Sequence, residues 1–338
     1  MKIRGKERKI KVTPKMPRKL KWGVAGCGNF SENTFIPTFL LLKRSRLVSV
    51  YSSSKERAKS IATKFTIPNS FNNYDEFLKS DIECVYIGST NADHYEQVIK
   101  AAKAGKHILC DKPLALTSQQ AQEMVDVCKE NNVHLTINYT NRFHPIMVKA
   151  KEIIDSQMLG KIISITVHYN IDLPPNDNFR FKKEVSGGGA LRDLGTHLID
   201  MLRYFGGEIS TIRGFMDNII YKCEVEDFAN AIVKFEKSGY GYFNVSFNSA
   251  KAFNRIEILG YKGAMSIDNM FGKKNVSAKI VIDLKNEAKK AFRKRANKQL
   301  RLLKSVQRSF LKGEQPLVTG EDGVINLKLM EALEQNVS

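Results

Sequence analysis

A chain of 338 residues with 42% apolar residues is long enough for two hydrophobic cores and too apolar for a disordered polymer. Its longest apolar stretches, such as 35–42, fall far short of the roughly 18 residues that a membrane-spanning helix needs, and its basic start lacks the apolar core and cleavage site of a signal peptide, so a cytoplasmic protein without a membrane span is expected. The formal charge of +19 favours phosphates and anionic surfaces but says nothing about fold.

Residues 1–18 hold a first basic cluster (Lys2, Arg4, Lys6, Arg8, Lys9, Lys11) and form an extension ahead of the first strand-like run. From there to about residue 140, β-branched runs at 21–25, 47–51, 84–87, 107–110 and 134–138 alternate with helical patterns, which predicts a doubly wound parallel sheet. One helical pattern, 92–104, closes at Gly105; another is announced by Thr117, with Gln120 as its capping-box partner.

Beyond residue 160 the period changes. Ile163, Ile165 and Val167 alternate with Ser164, Thr166 and His168, as in a strand with one buried face. Runs at 227–235, 240–247, 255–259 and 264–267, joined by turns at Ser238-Gly239 and 261–263, predict an antiparallel sheet. Residues 189–204 read as one helix with Leu191, Leu194, Leu198, Met201 and Leu202 on its apolar side.

A second basic cluster follows at Lys289, Lys290, Arg293, Lys294, Arg295, Lys298 and Arg301. Neither cluster carries the interleaved aromatics that stack bases, so both read first as solvated faces, and a nucleic-acid partner is not expected. The five cysteines (Cys27, Cys84, Cys110, Cys128, Cys223) are odd in number and show neither CxxC nor zinc-type spacing; no disulfide framework and no metal are expected.

Chemistry concentrates in four places. Gly26-Cys27-Gly28-Asn29-Phe30-Ser31 follows the first strand and opens a helix, the context of a dinucleotide fingerprint: Gly26 permits the tight turn and Gly28 lets phosphates approach, while Ser31 stands where a third glycine is frequent. The second strand ends in Ser52, Ser53 and Ser54 without the acid that would grip an NAD ribose, and with Lys55 and Arg57 nearby this leans to NADP, although dual-specificity sites also lack the acid. Asp111-Lys112-Pro113 ends a strand at the carboxyl edge of the sheet, where such folds bind ligands. Finally, 186–197 is a glycine-rich turn leading into Asp193 and His197, four residues apart on a helix, a pair that can do acid–base work or form an ordinary helix contact.

Together these residues, with Thr90-Asn91-Ala92-Asp93-His94, Gly105-Lys106-His107 and Asn141-Arg142-Phe143, resemble the glucose–fructose oxidoreductase / inositol dehydrogenase / MocA family over nearly the whole chain after about residue 19. The resemblance implies a Rossmann domain (19–140) and an α/β domain on a large, predominantly antiparallel sheet (141–338), with substrate between them and homodimers or homotetramers formed through that sheet. It implies hydride transfer between NAD or NADP and a secondary carbinol of a sugar, nucleotide sugar or cyclitol. Lys112 would bind the reacting hydroxyl, His197 would act as base and Asp193 would orient or bind. Gly26, Gly28, Asn29, Phe30, Ser52, Ser53, Ser54, Thr90, Asn91, His94, Asp111 and Lys112 would hold the cofactor; Tyr139, Asn141, Arg142, His168 and Asn170 would meet substrate. Asp111 stands where the family more often has Glu, Thr90 where Pro is frequent, and the basic extension is additional.

Two other readings remain: a dinucleotide-sensing regulator of the same fold without turnover, and a reductase of a non-sugar substrate such as a linear tetrapyrrole or a diol. Arg180, Lys182 and Lys183, ahead of the glycine-rich turn, can meet a phosphate or carboxylate, and the direction of the reaction is not encoded.

Overall fold

The computed structural model describes residues 18–272 and 275–336; the first basic cluster lies outside the described residues. Six parallel strands form the first sheet: β1 (Leu20–Ala25), β2 (Ser45–Tyr51), β3 (Asn69–Phe71), β4 (Cys84–Ile87), β5 (His107–Cys110) and β6 (Leu135–Ile137), in the order β3-β2-β1-β4-β5-β6. β4 is buried at every residue, because helices cover both faces of a parallel sheet and leave no polar side. The order reverses between β1 and β4, which opens a crevice at their carboxyl ends. The expected strands are present within one or two residues; β3, a short polar edge strand, had no apolar signature to reveal it.

The helix Asn91–Lys103 ends before Gly105, whose φ of +70° suits glycine. The helix Ser118–Glu130 is capped by Thr117, whose side chain accepts from the Gln120 amide. Gln120 reaches back to the Leu116 amide and not to Thr117, so the capping is shifted by one residue from the expected box.

The second sheet has eight strands: β7 (Ile162–Asp172), β8 (Ile209–Asp217), β9 (Phe228–Phe235), β10 (Tyr240–Ser246), β11 (Asn248–Gly260), β12 (Gly263–Asp268), β13 (Asn275–Leu284) and β14 (Lys290–Asn297). Their order is β14-β13-β12-β11-β7-β10-β9-β8, antiparallel except where β10 runs parallel to β7. On β7 the buried face carries Ile165, Val167 and Tyr169; Ile163, expected on that face, is exposed. One face of the sheet is covered by the helix Thr196–Gly206, while the other leaves Phe215, Ile232, Tyr240 and Phe253 exposed. Much of the second basic cluster lies on β14, whose charged side chains blunt an exposed sheet edge; Lys298, however, is buried.

The expected helix over 189–204 begins as a single π-helical segment, Leu191–Gly195, before continuing as an α-helix to Gly206. The chain then returns to the first sheet. In the helix Lys298–Lys312, Phe310 stacks on Trp22 at 5.7 Å, and glycines 320 and 323 of the helix Gly320–Gln335 lie against Leu135 and Ile137. A division at 140/141 places both helices with the second sheet; they pack on the first as well, and the last one also meets β8 and the helix Thr196–Gly206, with Arg203 donating to Asn326 at 2.9 Å. Arg192 ties the two halves, with its guanidinium on Glu334 at 2.6 Å and on the Leu116 carbonyl at 3.1 Å. No helix among the described residues is long and apolar enough to cross a membrane.

Candidate active site

The crevice between the sheets holds a cavity of about 660 Å³. At its β1 end, Gly26 adopts a φ of +93°, and a Cβ there would lie 2.4 Å from the Ser89 amide, so the turn closes on the β4 loop only with glycine. Gly28 differs: a Cβ added to it meets nothing within 4 Å, and the residue opens onto the cavity with Asn29 and Phe30. A turn that leaves space beside a helix start, with amides free to face an anion, fits a dinucleotide pyrophosphate.

The serines after β2 lie outside this cavity. Ser54 caps the helix Lys55–Phe65 by accepting from the Arg57 amide, Ser52 accepts from the Ser54 amide, and Ser53 is exposed. Arg57 is turned toward β1, where it donates to the Cys27 carbonyl at 2.9 Å and pairs with Glu32. Asn91 and His94 do line the cavity: Asn91 donates to the Ser186 carbonyl at 2.8 Å and His94 Nδ1 lies 3.0 Å from the Pro113 oxygen. Thr90 does not; its hydroxyl donates to Asp93.

Asp111 is held from three sides, by the Tyr86 hydroxyl at 3.0 Å, the Lys112 amide at 3.0 Å and the Asn138 amide at 3.2 Å. This fixes the strand end from which Lys112 projects. The Lys112 ammonium donates to Asp193 Oδ1 at 2.7 Å, while Arg180 approaches the other carboxylate oxygen at 3.2 Å. Burial alone would raise the Asp193 carboxyl, but the charges of Lys112 and Arg180 and the Lys112 hydrogen bond outweigh it and hold it well below the usual carboxylate range.

His197 lines the cavity one helical turn further on, and its buried Nδ1 has no hydrogen-bond partner among the described residues. Burial, then the charges of Lys112 and Lys298, push its imidazole well below the ordinary histidine value, with Asp193 opposing. The imidazole is therefore neutral near pH 7 and able to accept a proton. No hydrogen bond joins Asp193 to His197; the carboxylate is spent on Lys112 and Arg180. Glu226, absent from the sequence reading, supports the helix start by accepting from the Gly189 and Leu191 amides at 2.9 Å each.

The expected substrate residues divide. Asn141 lines the cavity. Tyr139 is buried behind it, with its hydroxyl 2.8 Å from Thr196 and its ring edge-on to His197. Arg142 is buried against Asp200 and Asp322, a structural ion cluster. His168 and Asn170 lie on the opposite face of β7, where His168 packs by Phe253 and Asn170 accepts from Ser246. Strand parity decides this: Tyr169, between them, lines the cavity and stacks on Phe271 at 5.0 Å. Asn178, Lys298 and Gln299 also line it without having been anticipated.

Residues 20–139 match the family described as "Oxidoreductase family, NAD-binding Rossmann fold", and residues 147–266 match the "GFO/IDH/MocA C-terminal domain". The chain is 29% identical to 1,5-anhydro-D-fructose reductase of Ensifer adhaerens over 91% of its own length and 93% of that protein. It is 29% identical to Oxidoreductase P35 of Formosa agariphila over 59% of its length, a match spanning 64% of that relative. The crystal structure of aldose-aldose oxidoreductase from Caulobacter crescentus, complexed with glycerol, superposes with a TM-score of 0.87 at 25% identity, covering 94% of this chain and 97% of that one. With both halves of the fold matched, the chain belongs to the Gfo/Idh/MocA oxidoreductase family.

Proposed function

We propose that this protein transfers a hydride between a nicotinamide dinucleotide and a secondary carbinol of a sugar, nucleotide sugar or cyclitol. The observation that carries the reading is the convergence of Lys112, Asp193 and His197 on one cavity that begins at the open face of Gly28. A bound nicotinamide supplies the carbon that gives or takes the hydride. His197 takes the hydroxyl proton in oxidation and returns it in reduction, and Lys112 stabilises the charge developing on the alkoxide oxygen. Asp193 positions Lys112. The reductase and aldose oxidoreductase named above support a carbonyl/carbinol substrate of the sugar type.

In this reading residues 19–140 bind the dinucleotide and 141–338 supply the substrate side and the subunit interface, with the last two helices returning to the first sheet. The exposed apolar residues of the second sheet would be covered by a second copy of the chain in a homodimer or homotetramer. NADP is the favoured cofactor, because no carboxylate stands at the end of β2, where an NAD ribose would be gripped and a 2′-phosphate repelled.

Separate NADPH and NADH titrations, followed by turnover assays with aldoses, polyols and cyclitols, test the reading. Expected are NADPH binding that Ser53→Asp weakens about tenfold more than NADH binding, and turnover that Lys112→Ala lowers about 100-fold or more. Absence of binding by either dinucleotide would overturn the assignment.

A further inference from the structure

Lys298 is the first residue of the helix Lys298–Lys312, entered from β14 through Asn297, whose side chain caps the helix at the Leu300 amide. Only 5% of Lys298 is exposed, and it lines the same cavity as Lys112, Asp193 and His197. Its ammonium donates to Asn141 Oδ1 at 2.6 Å and approaches the Met270 carbonyl at 3.5 Å. Both partners are neutral.

That environment sets it apart from the other buried cations among the described residues. Arg142 has Asp200 and Asp322, Arg192 has Glu334, and Arg203 has Glu208. In the cavity itself, Lys112 and Arg180 share Asp193. A cation taken out of water without a counter-charge is costly, and proteins rarely retain one unless an anion completes the site. The cost shows in the side chain: burial pushes the Lys298 ammonium down to about 7, so the site is poised to hold its proton firmly once a negative charge arrives.

The neighbours narrow the chemistry of that anion. Gln299, beside Lys298, donates to Asn138 Oδ1 at 2.9 Å, and Asn138 in turn donates to Asp111 on the strand end that carries Lys112. A rigid polar wall therefore runs from Lys298 to the reacting end of the cavity. One unpaired ammonium flanked by amides matches a single negative charge. A phosphomonoester, with about −1.5 to −2 charges, would need a second free cation, and among the described lining residues the other two cations, Lys112 and Arg180, are already engaged by Asp193.

We propose that the substrate is a polyhydroxylated carboxylic acid whose carboxylate pairs with Lys298 while a secondary carbinol faces Lys112 and His197. This rests on the oxidoreductase reading above and names its substrate class. Lys298 is then the residue that selects sugar acids over neutral sugars; the hydride and proton follow the same route.

The whole 338-residue chain with NADP and NAD is assayed against matched pairs: galacturonate and galactose, gluconate and glucitol. Wild type is expected to favour the acid of at least one pair, and Lys298→Met to lower that acid-over-neutral ratio of kcat/KM about tenfold or more, chiefly through KM. Lys298→Arg, which restores the charge, is expected to recover part of the ratio. A wild type that prefers the neutral members, or a Lys298→Met protein whose ratio is unchanged, would overturn the proposal while leaving the oxidoreductase reading intact. If no pair is turned over, calorimetric titration of galacturonate and galactose into the dinucleotide-loaded protein decides: acid binding lost in Lys298→Met sustains the proposal, and absent or equal acid binding sinks it. Failure to bind either dinucleotide is a separate result, which strikes the oxidoreductase reading first.

Discussion

Lys112 Nζ lies 2.7 Å from Asp193 Oδ1 and 2.6 Å from the Asp193 backbone oxygen, so one ammonium is held by both the side chain and the main chain of a single residue. The first residue comes from the end of a parallel strand and the second from a π-helical segment 81 positions later. A π-helical segment widens the helix by one residue per turn and is a frequent device for aiming functional groups. Here it carries Asp193 toward the strand end while His197, on the turn that follows, faces the same cavity.

Asp193→Asn keeps the shape and the Lys112 contact but removes the charge that balances Lys112 and Arg180. Turnover is expected to fall about 100-fold with dinucleotide affinity changed by less than about threefold. Steady-state kinetics beside fluorescence titration check it; a matching loss of dinucleotide binding would place Asp193 in the cofactor site instead.

Much of the first sheet was legible because apolar runs such as 84–87 and 108–110 separate cleanly from the helices between them. β13, β14 and the helices after them were not. β14 is an edge strand half of whose side chains are charged, so its sequence shows a basic cluster and no alternation. Lys298 was hidden inside that cluster, since burial of one lysine among exposed ones leaves no trace in the residue pattern. Lys112, Asp193 and His197 could be found because each sits beside a turn or strand end with its own signature. His168 and Asn170 illustrate the opposite case: alternation fixes which residues share a face but not which face meets the cavity, and Tyr169 proved to be the one that does.

The two fingerprint glycines should behave differently. Gly26→Ala places a methyl 2.4 Å from the Ser89 amide at a left-handed φ, and is expected to destabilise by about 2–4 kcal/mol. Gly28→Ala meets nothing within 4 Å in the protein, so its stability should stay within about 1 kcal/mol while dinucleotide affinity falls about tenfold or more. Denaturant melts and nucleotide titrations separate the two; equal destabilisation would mean that Gly28 also serves packing.

The second sheet's open face gives a further expectation. Ile232 is 54% exposed and Phe215 59% exposed on adjacent antiparallel strands, and such a patch on a large sheet is better covered by another subunit than by water. Sedimentation velocity is expected to show a dimer or tetramer in wild type and a shift toward monomer in Ile232→Lys with the far-UV spectrum retained. A monomeric wild type at micromolar concentration would remove the interface from this face.

His197 links the site to pH. Because burial and then the charges of Lys112 and Lys298 depress it, the folded protein keeps this imidazole neutral where the unfolded chain, with an ordinary value of about 6.5, already takes up a proton. Below that value the unfolded state binds more protons, so this contribution to stability is present above about pH 6.5 and is lost as pH falls toward the depressed folded value. His94 and His107, also lowered chiefly by burial, act in the same direction. The histidine contribution is therefore expected to fall between pH 7 and pH 5, while Asp200 and Glu226, raised chiefly by burial, act the other way, and the melting temperature is expected to drop less in His197→Gln than in wild type. Calorimetric melts across that range check the sign. A variant whose decline matches wild type would show that His197 titrates in the folded protein as it does in the unfolded chain, and that its burial carries no part of the pH dependence.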